Sequence, residues 1–196
     1  MPKPTAERSA ARRPELDTDM TAPGTLLETP RLRLRVPVPA DLPQLEARVF
    51  ADAAVMQHVD AGGVPDAGRA AAVFRTLDHE GTGCAPGVLV ERAGGEVIGY
   101  AGPRLCTVLG AEDFEIGFVL ARSAWGRGYG SEIGRTQVAH VLGTLGCCRV
   151  LALAAPANTR SIATLLKLGM AFVCRLDVPG RGLRNVYAAV RPRGPG

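Results

Sequence analysis

The feature that most constrains the fold of this chain is a glycine-rich segment between a candidate strand and a candidate helix. Residues 125–132 read Trp-Gly-Arg-Gly-Tyr-Gly-Ser-Glu; they follow an apolar run at 114–120 and precede a helical pattern. The glycines permit a tight turn and leave successive backbone N–H groups unobstructed. A helix that begins there adds the positive end of its dipole. The segment therefore predicts a strand–loop–helix unit able to hold a pyrophosphate, with positive charge from Arg127 and from Arg122.

Three other phosphate-binding motifs do not match this segment. A Rossmann fingerprint requires G-x-G-x-x-G, whereas the spacing from Gly128 to Gly134 is one residue too long. A P-loop requires Gly-Lys followed by Ser or Thr, and the sequence has no such triplet. A kinase glycine loop is followed by His-Arg-Asp and Asp-Phe-Gly motifs, which the sequence also lacks. On its own the segment fits an ordinary turn as well as a phosphate site, so its assignment depends on the rest of the chain.

Seven runs along the chain have the patterning of β-strands. In the first run, Leu32, Leu34 and Val36 alternate with arginines, which is typical of a strand buried on one face. Gly94 and Gly95 join the second and third runs as a tight hairpin. The fifth run is wholly apolar and suits a strand covered on both faces. The seven predicted strands are 27–36, 88–92, 97–105, 114–120, 150–154, 171–178 and 185–190.

Four segments carry an apolar stripe at helical spacing. Asp41 and Gln44 form a capping box that opens the first helix, Asn158 caps the fourth, and Gly169 is placed as its C-terminal glycine. The element order β-α-α-β-β-β-α-β-α-β-β predicts a mixed α/β (α+β) domain, with crossovers in its second half and antiparallel meanders elsewhere. The inward-facing residues are Leu42, Leu45, Val49 and Phe50; Ala70, Val73, Phe74 and Leu77; Val138, Val141, Leu142 and Leu145; and Ile162, Leu165 and Leu166.

The composition limits the class of protein. The 196 residues, 46% hydrophobic, suffice for one domain at 25–192, preceded by a polar leader at 1–24 that we expect to be disordered. No apolar stretch has the length of a membrane span, and no secretory signal is evident. Five cysteines without a CxxC pair indicate buried thiols in a reducing compartment rather than disulfides or a metal site, so we expect a cytoplasmic protein. The net charge of +4 comes from scattered arginines, which gives little support to nucleic-acid binding.

Three blocks of the sequence, in the right order, resemble the GNAT superfamily, in particular the branch typified by ribosomal-protein N-terminal acetyltransferases. The family's pyrophosphate loop, Gln/Arg-x-x-Gly-x-Gly/Ala, is matched with Trp at its first position, and its later N-x-x-S-(x)7-G-F block is matched with Met in place of Phe. The likeness covers most of residues 26–190. The matching residues are Leu27, Thr29, Arg31, Leu32, Leu34, Arg35, Asp41 and Leu42; Trp125 to Gly130; and Asn158, Ser161, Gly169 and Met170.

The resemblance implies a single GNAT-like domain that binds acetyl-CoA and needs no metal. The sheet of such a domain is splayed between its fourth and fifth strands, here 114–120 and 150–154. The pantetheine arm would enter that gap and pair with the strand edge, and the pyrophosphate would rest on the loop amides. Asn158 would act both as a helix cap and as a pantetheine partner. The implied cofactor-binding residues are Phe118, Val119, Leu120, Arg127, Gly128, Tyr129, Gly130, Ser131, Asn158 and Ser161.

Acetyl transfer to an amine needs a base for the ammonium proton and an acid for the departing thiolate. Glu115 is the candidate base, acting through water, although a solvated strand carboxylate is an equal interpretation. Leu165 stands where many GNAT enzymes carry the tyrosine that acts as general acid. The general acid here is therefore Ser161, water or a tyrosine from elsewhere, such as Tyr129 or Tyr187. Glu112 and Asp113 add negative charge that would attract a cationic amine. The three histidines, at 58, 79 and 140, are interpreted as structural or surface residues.

Two functions remain open from the sequence, with a third as a distant possibility. An active N-acetyltransferase would acetylate a protein N-terminus, an amino acid, a polyamine or an aminoglycoside-like amine. A non-catalytic acyl-CoA-binding sensor or interaction module would keep the cofactor loop without turnover. A nucleic-acid-associated protein is the distant possibility. A monomer and a homodimer are both compatible with the sequence. The acceptor would be decided by residues 49–84 and the loop at 179–184, where no motif can be interpreted.

Overall fold

One eight-stranded sheet organises the computed structural model, which describes residues 24–59, 63–77 and 86–191. The strand order is β1-β2-β3-β4-β5-β6-β8-β7, antiparallel throughout except for the parallel pair β5–β6. The expected leader, apart from Gly24, lies outside the described residues. The strands are β1 Thr25–Glu28, β2 Leu32–Arg35, β3 Gly87–Glu91, β4 Val97–Cys106, β5 Asp113–Leu120, β6 Arg149–Ala154, β7 Ala171–Val178 and β8 Gly182–Val190.

Helices cover both faces of this sheet. The first three pack on one face against Val88, Val90 and Val97, and α4 packs on the opposite face against Leu89 and Ile98. None of the helices in the described ranges combines the length and the apolar character that a membrane span requires. The helices are α1 Asp41–Leu45, continued by a π-helical turn Glu46–Phe50; α2 Ala53–Met56; α3 Ala67–Arg75; α4 Tyr129–Ala139, continued by a π-helical turn His140–Thr144; and α5 Thr159–Lys167.

Strands β5 and β6 separate soon after they meet. They pair only at Phe114 with Val150 and at Glu115 with Leu151, and β6 then continues alongside β8. These are the predicted fourth and fifth strands, so the splayed GNAT-like sheet is confirmed at the predicted place. They are numbered β5 and β6 because the first predicted strand is two strands in the structure.

The division of that first strand corrects the prediction for residues 27–36. Pro30 stands between β1 and β2, and its ring fixes φ where the chain must turn. Thr29 closes the turn, because its N–H donates to the Leu32 carbonyl at 2.9 Å and its hydroxyl accepts from the Leu32 N–H at 2.9 Å. Leu32 and Leu34 are buried as the alternation predicted.

The predicted capping box at Asp41 is wrong. Helix α1 begins at Asp41 itself, after Ala40, which makes no side-chain cap. The carboxylate is buried and accepts two hydrogen bonds from Arg35, both 2.7 Å, and one from the Val38 N–H at 2.8 Å. Asp41 therefore ties the first helix to β2.

The predicted order of strands and helices holds in the second half of the chain, whereas two predictions of burial are wrong. Asn158 caps α5 and Gly169 ends it with φ +77°, as predicted. Leu166, predicted to face inward, is 57% exposed because the buried stripe of α5 runs through Leu165. The prediction of buried thiols is wrong for the described cysteines: Cys106, Cys147 and Cys174 are partly exposed, and Cys148, just before β6, is exposed.

Candidate active site

The glycine-rich loop presents free backbone N–H groups at the start of α4. Gly126 and Gly128 have φ of +74° and +80°, a region that other residues rarely adopt. The Glu132 N–H is the first to donate backwards, to the Gly128 carbonyl at 3.0 Å. The N–H groups of residues 129–131 begin the helix and have no carbonyl one turn earlier. The loop therefore has the strand–loop–helix arrangement that the sequence predicted, with N–H groups positioned to donate to an anion.

Gly130 is required for packing rather than for its backbone angle. A Cβ atom at this position would lie 2.9 Å from Cε2 of Phe118 on β5. The first turn of α4 thus lies directly against the strand that forms one side of the gap.

The two arginines expected to supply charge to the loop both have carboxylate partners. Arg127 donates to Glu91 at 2.6 Å, and Arg122 donates through its Nε to Asp52 at 2.8 Å. Both guanidinium groups remain about half exposed or more. An anion at this loop would therefore be held by backbone N–H groups and the helix dipole more than by uncompensated arginine charge.

Tyr129 has its ring buried between two guanidinium groups. Those of Arg31 and Arg127 lie 4.6 and 4.7 Å from its ring centre. Its hydroxyl donates to Glu91 on β3, and this hydrogen bond, with burial, raises the pKa of Tyr129. Because β4 separates β3 from the gap, the hydroxyl is directed away from the place where a thiolate would leave.

The edge of β5 beside the gap has free backbone groups. The Ala121 N–H donates to Ile98 on β4 at 2.8 Å, and alternate residues of a strand direct their N–H and C=O groups to opposite neighbours. Val119 therefore pairs with β4, whereas Ile116 and Phe118 direct their groups toward β6, beyond the point where β6 has turned away. The Leu120 carbonyl, at the mouth of the gap, accepts from Trp125 Nε1 at 2.9 Å.

Across the gap, the first turn of α5 carries Asn158 and Ser161. The Asn158 side-chain oxygen accepts from the Ser161 N–H at 3.1 Å, which fixes the cap. Arg160 of the same turn places its guanidinium 4.7 Å from the Trp125 ring centre. The two sides of the gap thus touch at its mouth, a contact that the sequence analysis missed because no short-range pattern links these residues.

Gln137 is a buried polar residue that the sequence analysis also missed. It is 0% exposed, and neither its Oε1 nor its Nε2 has a hydrogen-bond partner within the described ranges. It lies one turn from Ile133, which packs near the end of β5, and one turn from Val141, which packs near its start. Gln137 therefore lies on the buried face of α4, between its contacts with the end and the start of β5.

Glu115 lies on the face of the sheet opposite α4 and is held by two arginines. Arg181 donates to its two oxygens at 2.8 and 2.8 Å, and Arg104 donates to both at 3.2 Å. Only 4% of Glu115 is exposed, so it is not the solvated strand carboxylate of the second interpretation. Arg104 is directly opposite in the β4–β5 ladder, whereas Arg181 comes from the turn between β7 and β8.

The neighbouring acids do not form a negative funnel. Asp113 accepts two hydrogen bonds from Arg149, at 2.9 and 2.7 Å. Asp113 and Glu115 are thus paired with three guanidiniums, and Glu112, which precedes β5, is exposed. The attraction of a cationic amine that the sequence suggested is cancelled by these arginines.

The residues considered for proton donation separate clearly. Leu165 is buried among apolar residues, and Tyr187 is buried against Phe172 with ring centres 5.8 Å apart. Burial lowers the pKa of His140, whereas His79 lies outside the described residues. Ser161 remains the candidate donor nearest the gap.

The part of the chain that the structure describes has no cluster of three metal-ligating side chains.

An acyl-CoA molecule fits what these residues offer. Its pyrophosphate matches the loop N–H groups, and the two amides of its pantetheine arm match the free edge of β5 and the unsatisfied amide of Gln137.

Comparisons with known proteins agree with this geometry. Residues 31–171 match the model of the acetyltransferase (GNAT) domain family. An acetyltransferase from Agrobacterium tumefaciens is 23% identical, with a TM-score of 0.70 over 92% of this chain and 100% of that one. The ribosomal L7/L12 alpha-N-protein acetyltransferase RimL, solved with coenzyme A, is 16% identical with a TM-score of 0.66 over 85% and 97%. RimJ from Mycobacterium smegmatis, solved with CoA-disulfide, is 20% identical with a TM-score of 0.66 over 81% of each chain.

Proposed function

The chain belongs to the GNAT acetyltransferase family, and we propose that it transfers acetyl from acetyl-CoA to a primary amine by direct attack in a ternary complex. Family membership makes it an acetyl-CoA-dependent N-acetyltransferase. The observation that supports direct attack is that β5 and β6 part directly after Glu115, which places one carboxylate at the start of the gap in which a thioester and an amine would meet.

We assign the donor site to the two sides of the gap. The pyrophosphate is held by the N–H groups of residues 127–131, and the pantetheine pairs with Ile116 and Phe118. Asn158 and Ser161 approach from α5, and the side chain of Gln137 hydrogen-bonds a pantetheine amide. Acetyl-CoA supplies the activated acyl group.

Glu115 and Ser161 are assigned to the two proton transfers. As the amine nitrogen bonds to the carbonyl carbon, the C–S bond breaks and its electron pair stays on sulfur. The proton lost from nitrogen passes through water to Glu115, and Ser161 is the candidate donor to sulfur. An ammonium acceptor therefore yields an amide, coenzyme A and one released proton.

A non-catalytic acyl-CoA-binding module is the second candidate. The observation that favours it is the double pairing of Glu115, because a carboxylate that accepts from two guanidiniums has no free lone pair for a proton. Turnover separates the two candidates.

The test is thiol release from acetyl-CoA with N-terminal peptides, amino acids, polyamines and aminoglycosides. We expect one class to stimulate release, and E115Q to lower its kcat/KM by about 100-fold or more, the range of general-base catalysis. The matched control is E112Q, an exposed neighbour that should keep wild-type turnover. Thermal unfolding checks that both variants are folded.

Two results would change the assignment. Full turnover by folded E115Q would remove Glu115 from the mechanism. No thiol release with any amine, while calorimetry shows acetyl-CoA binding, would favour the binding module.

A further inference from the structure

The hydrogen-bonding capacity of Glu115 is filled by protein groups. Its two oxygens offer about four lone-pair sites, and the two guanidiniums make four contacts with them. A proton from the acceptor amine can reach this carboxylate only after one guanidinium leaves. This conclusion depends on the proposed function, in which Glu115 is the base.

Arg181 is the guanidinium that can leave. Arg104 lies inside β4, directly opposite Glu115, so its backbone is fixed by the ladder. Arg181 lies in the turn between β7 and β8, next to Gly180 and Gly182, whose φ angles of +73° and +69° belong to a turn. Both side chains reach solvent, Arg181 at 24% and Arg104 at 48% exposed, so the position of Arg181 in a turn, and not its exposure, distinguishes it.

The departure of Arg181 requires another anion in its place. Its two 2.8 Å contacts are the shorter of the two pairs, and a partly buried guanidinium without a partner is unfavourable. A carboxylate on the acceptor restores the same planar, two-bond pairing. A polyamine cannot do so, because it adds positive charge beside two guanidiniums.

We propose that the acceptor carries a carboxylate close to its primary amine, and that Arg181 moves from Glu115 to this carboxylate when the acceptor binds. The movement frees a lone pair of Glu115 only when a suitable acceptor is present. The remaining positive charge also favours loss of the ammonium proton. Arg181 is thus a specificity residue of the acceptor site.

The test compares acceptors that differ only in the carboxylate. One arm uses free amino acids against their α-amides; the other uses C-terminally amidated peptides that begin with Asp or Glu against those that begin with Asn or Gln. We expect wild-type kcat/KM to favour the carboxylate member by about tenfold or more, as one charged hydrogen-bonded pair predicts. The arm that shows this preference identifies a free amino acid or a peptide.

R181A should abolish the preference in two ways: kcat/KM should fall for the carboxylate member, which loses its partner, and should rise for the other member, because Glu115 no longer accepts from Arg181. R181K keeps the charge without the planar pair and should give an intermediate preference. The control is R175A on the neighbouring β7, where Arg175 donates to Asn185 instead of Glu115, and it should keep the wild-type preference.

Equal wild-type turnover of both members in both arms overturns the inference and leaves the transferase function intact, whether or not R181A folds. An equal loss for both members in folded R181A also overturns it. Absence of thiol release with any amine contradicts the proposed function itself, and with it this inference.

Discussion

Replacing Gly130 by alanine should lower both the stability of the protein and its affinity for acetyl-CoA. The new Cβ would lie 2.9 Å from Cε2 and 3.3 Å from Cζ of Phe118. Since carbon atoms in contact lie about 3.5–4.0 Å apart, the ring must move by roughly 0.6 Å or more.

Two energies decide the effect on folding. Overpacking costs about 1–3 kcal/mol, and alanine is favoured over glycine within a helix by about 1 kcal/mol. We therefore expect the free energy of unfolding to fall by about 0–2 kcal/mol. Gly143 is the matched control, because it lies in the helical continuation of α4 with no atom within 4 Å of an added Cβ. G143A should raise stability by about 0.5–1 kcal/mol.

G130A should also weaken acetyl-CoA binding at the donor site. Phe118 carries the backbone groups assigned to the pantetheine, so displacing it should cost about one hydrogen bond, or about fivefold in acetyl-CoA affinity. Urea unfolding gives the stabilities, and calorimetry gives the affinities. If G130A is stabilised like G143A and binds acetyl-CoA with wild-type affinity, the close approach of α4 to β5 does not constrain the site.

Three further predictions concern residues away from this contact. D41N should lower stability by about 3 kcal/mol at neutral pH, because it leaves Arg35 without its buried partner. Burial acts to raise the pKa of Asp41, but its hydrogen bonds outweigh burial and the net pKa is lowered. The stabilisation is therefore lost as pH falls through the folded-state pKa, and the difference in urea midpoint between wild type and D41N should shrink below about pH 4. An unchanged difference at low pH would contradict the ion pair. R160A should weaken acetyl-CoA binding while changing the melting temperature little, since an exposed cation–π contact contributes only about 0.5–1 kcal/mol; a large loss of stability would show that the contact with Trp125 is structural. Q137M should raise the melting temperature of the free protein by removing unsatisfied polar atoms, yet reduce the further increase that acetyl-CoA gives; an undiminished ligand shift would exclude Gln137 from the donor site.

Features encoded by neighbouring residues were predictable from the sequence. The glycine loop, the Asn158 cap and the apolar strand β6 each depend on residues within about ten positions, where periodicity and turn chemistry apply. The alternation of Leu32 and Leu34 likewise gave the correct buried face. The prediction nevertheless extended the strand back across Pro30 to residue 27, although the alternation itself begins only at Arg31.

Features that join distant residues were not predictable. Asp41 satisfies the sequence pattern of a capping box, but Arg35 competes for its carboxylate and wins through two charged hydrogen bonds. Glu115 was identified as a carboxylate of interest, yet its partner Arg181 lies 66 residues away in a turn without a motif. Pairing across such distances is set by the sheet order, which periodicity does not contain.

The parting of β5 and β6 divides the sheet into two plates with a short seam. Strands β1–β5 form one plate and β6–β8 the other, and each buries apolar side chains of its own. Helix α4 and its π-helical continuation lie across both: Ile133 packs on the first plate, and Val141 packs where Ile116 of β5 meets Val150 of β6. Because this helix contacts both plates, it holds them at a fixed distance across the gap. The helix can bend most easily at its π-helical end, His140–Thr144, because the hydrogen-bond ladder is irregular there.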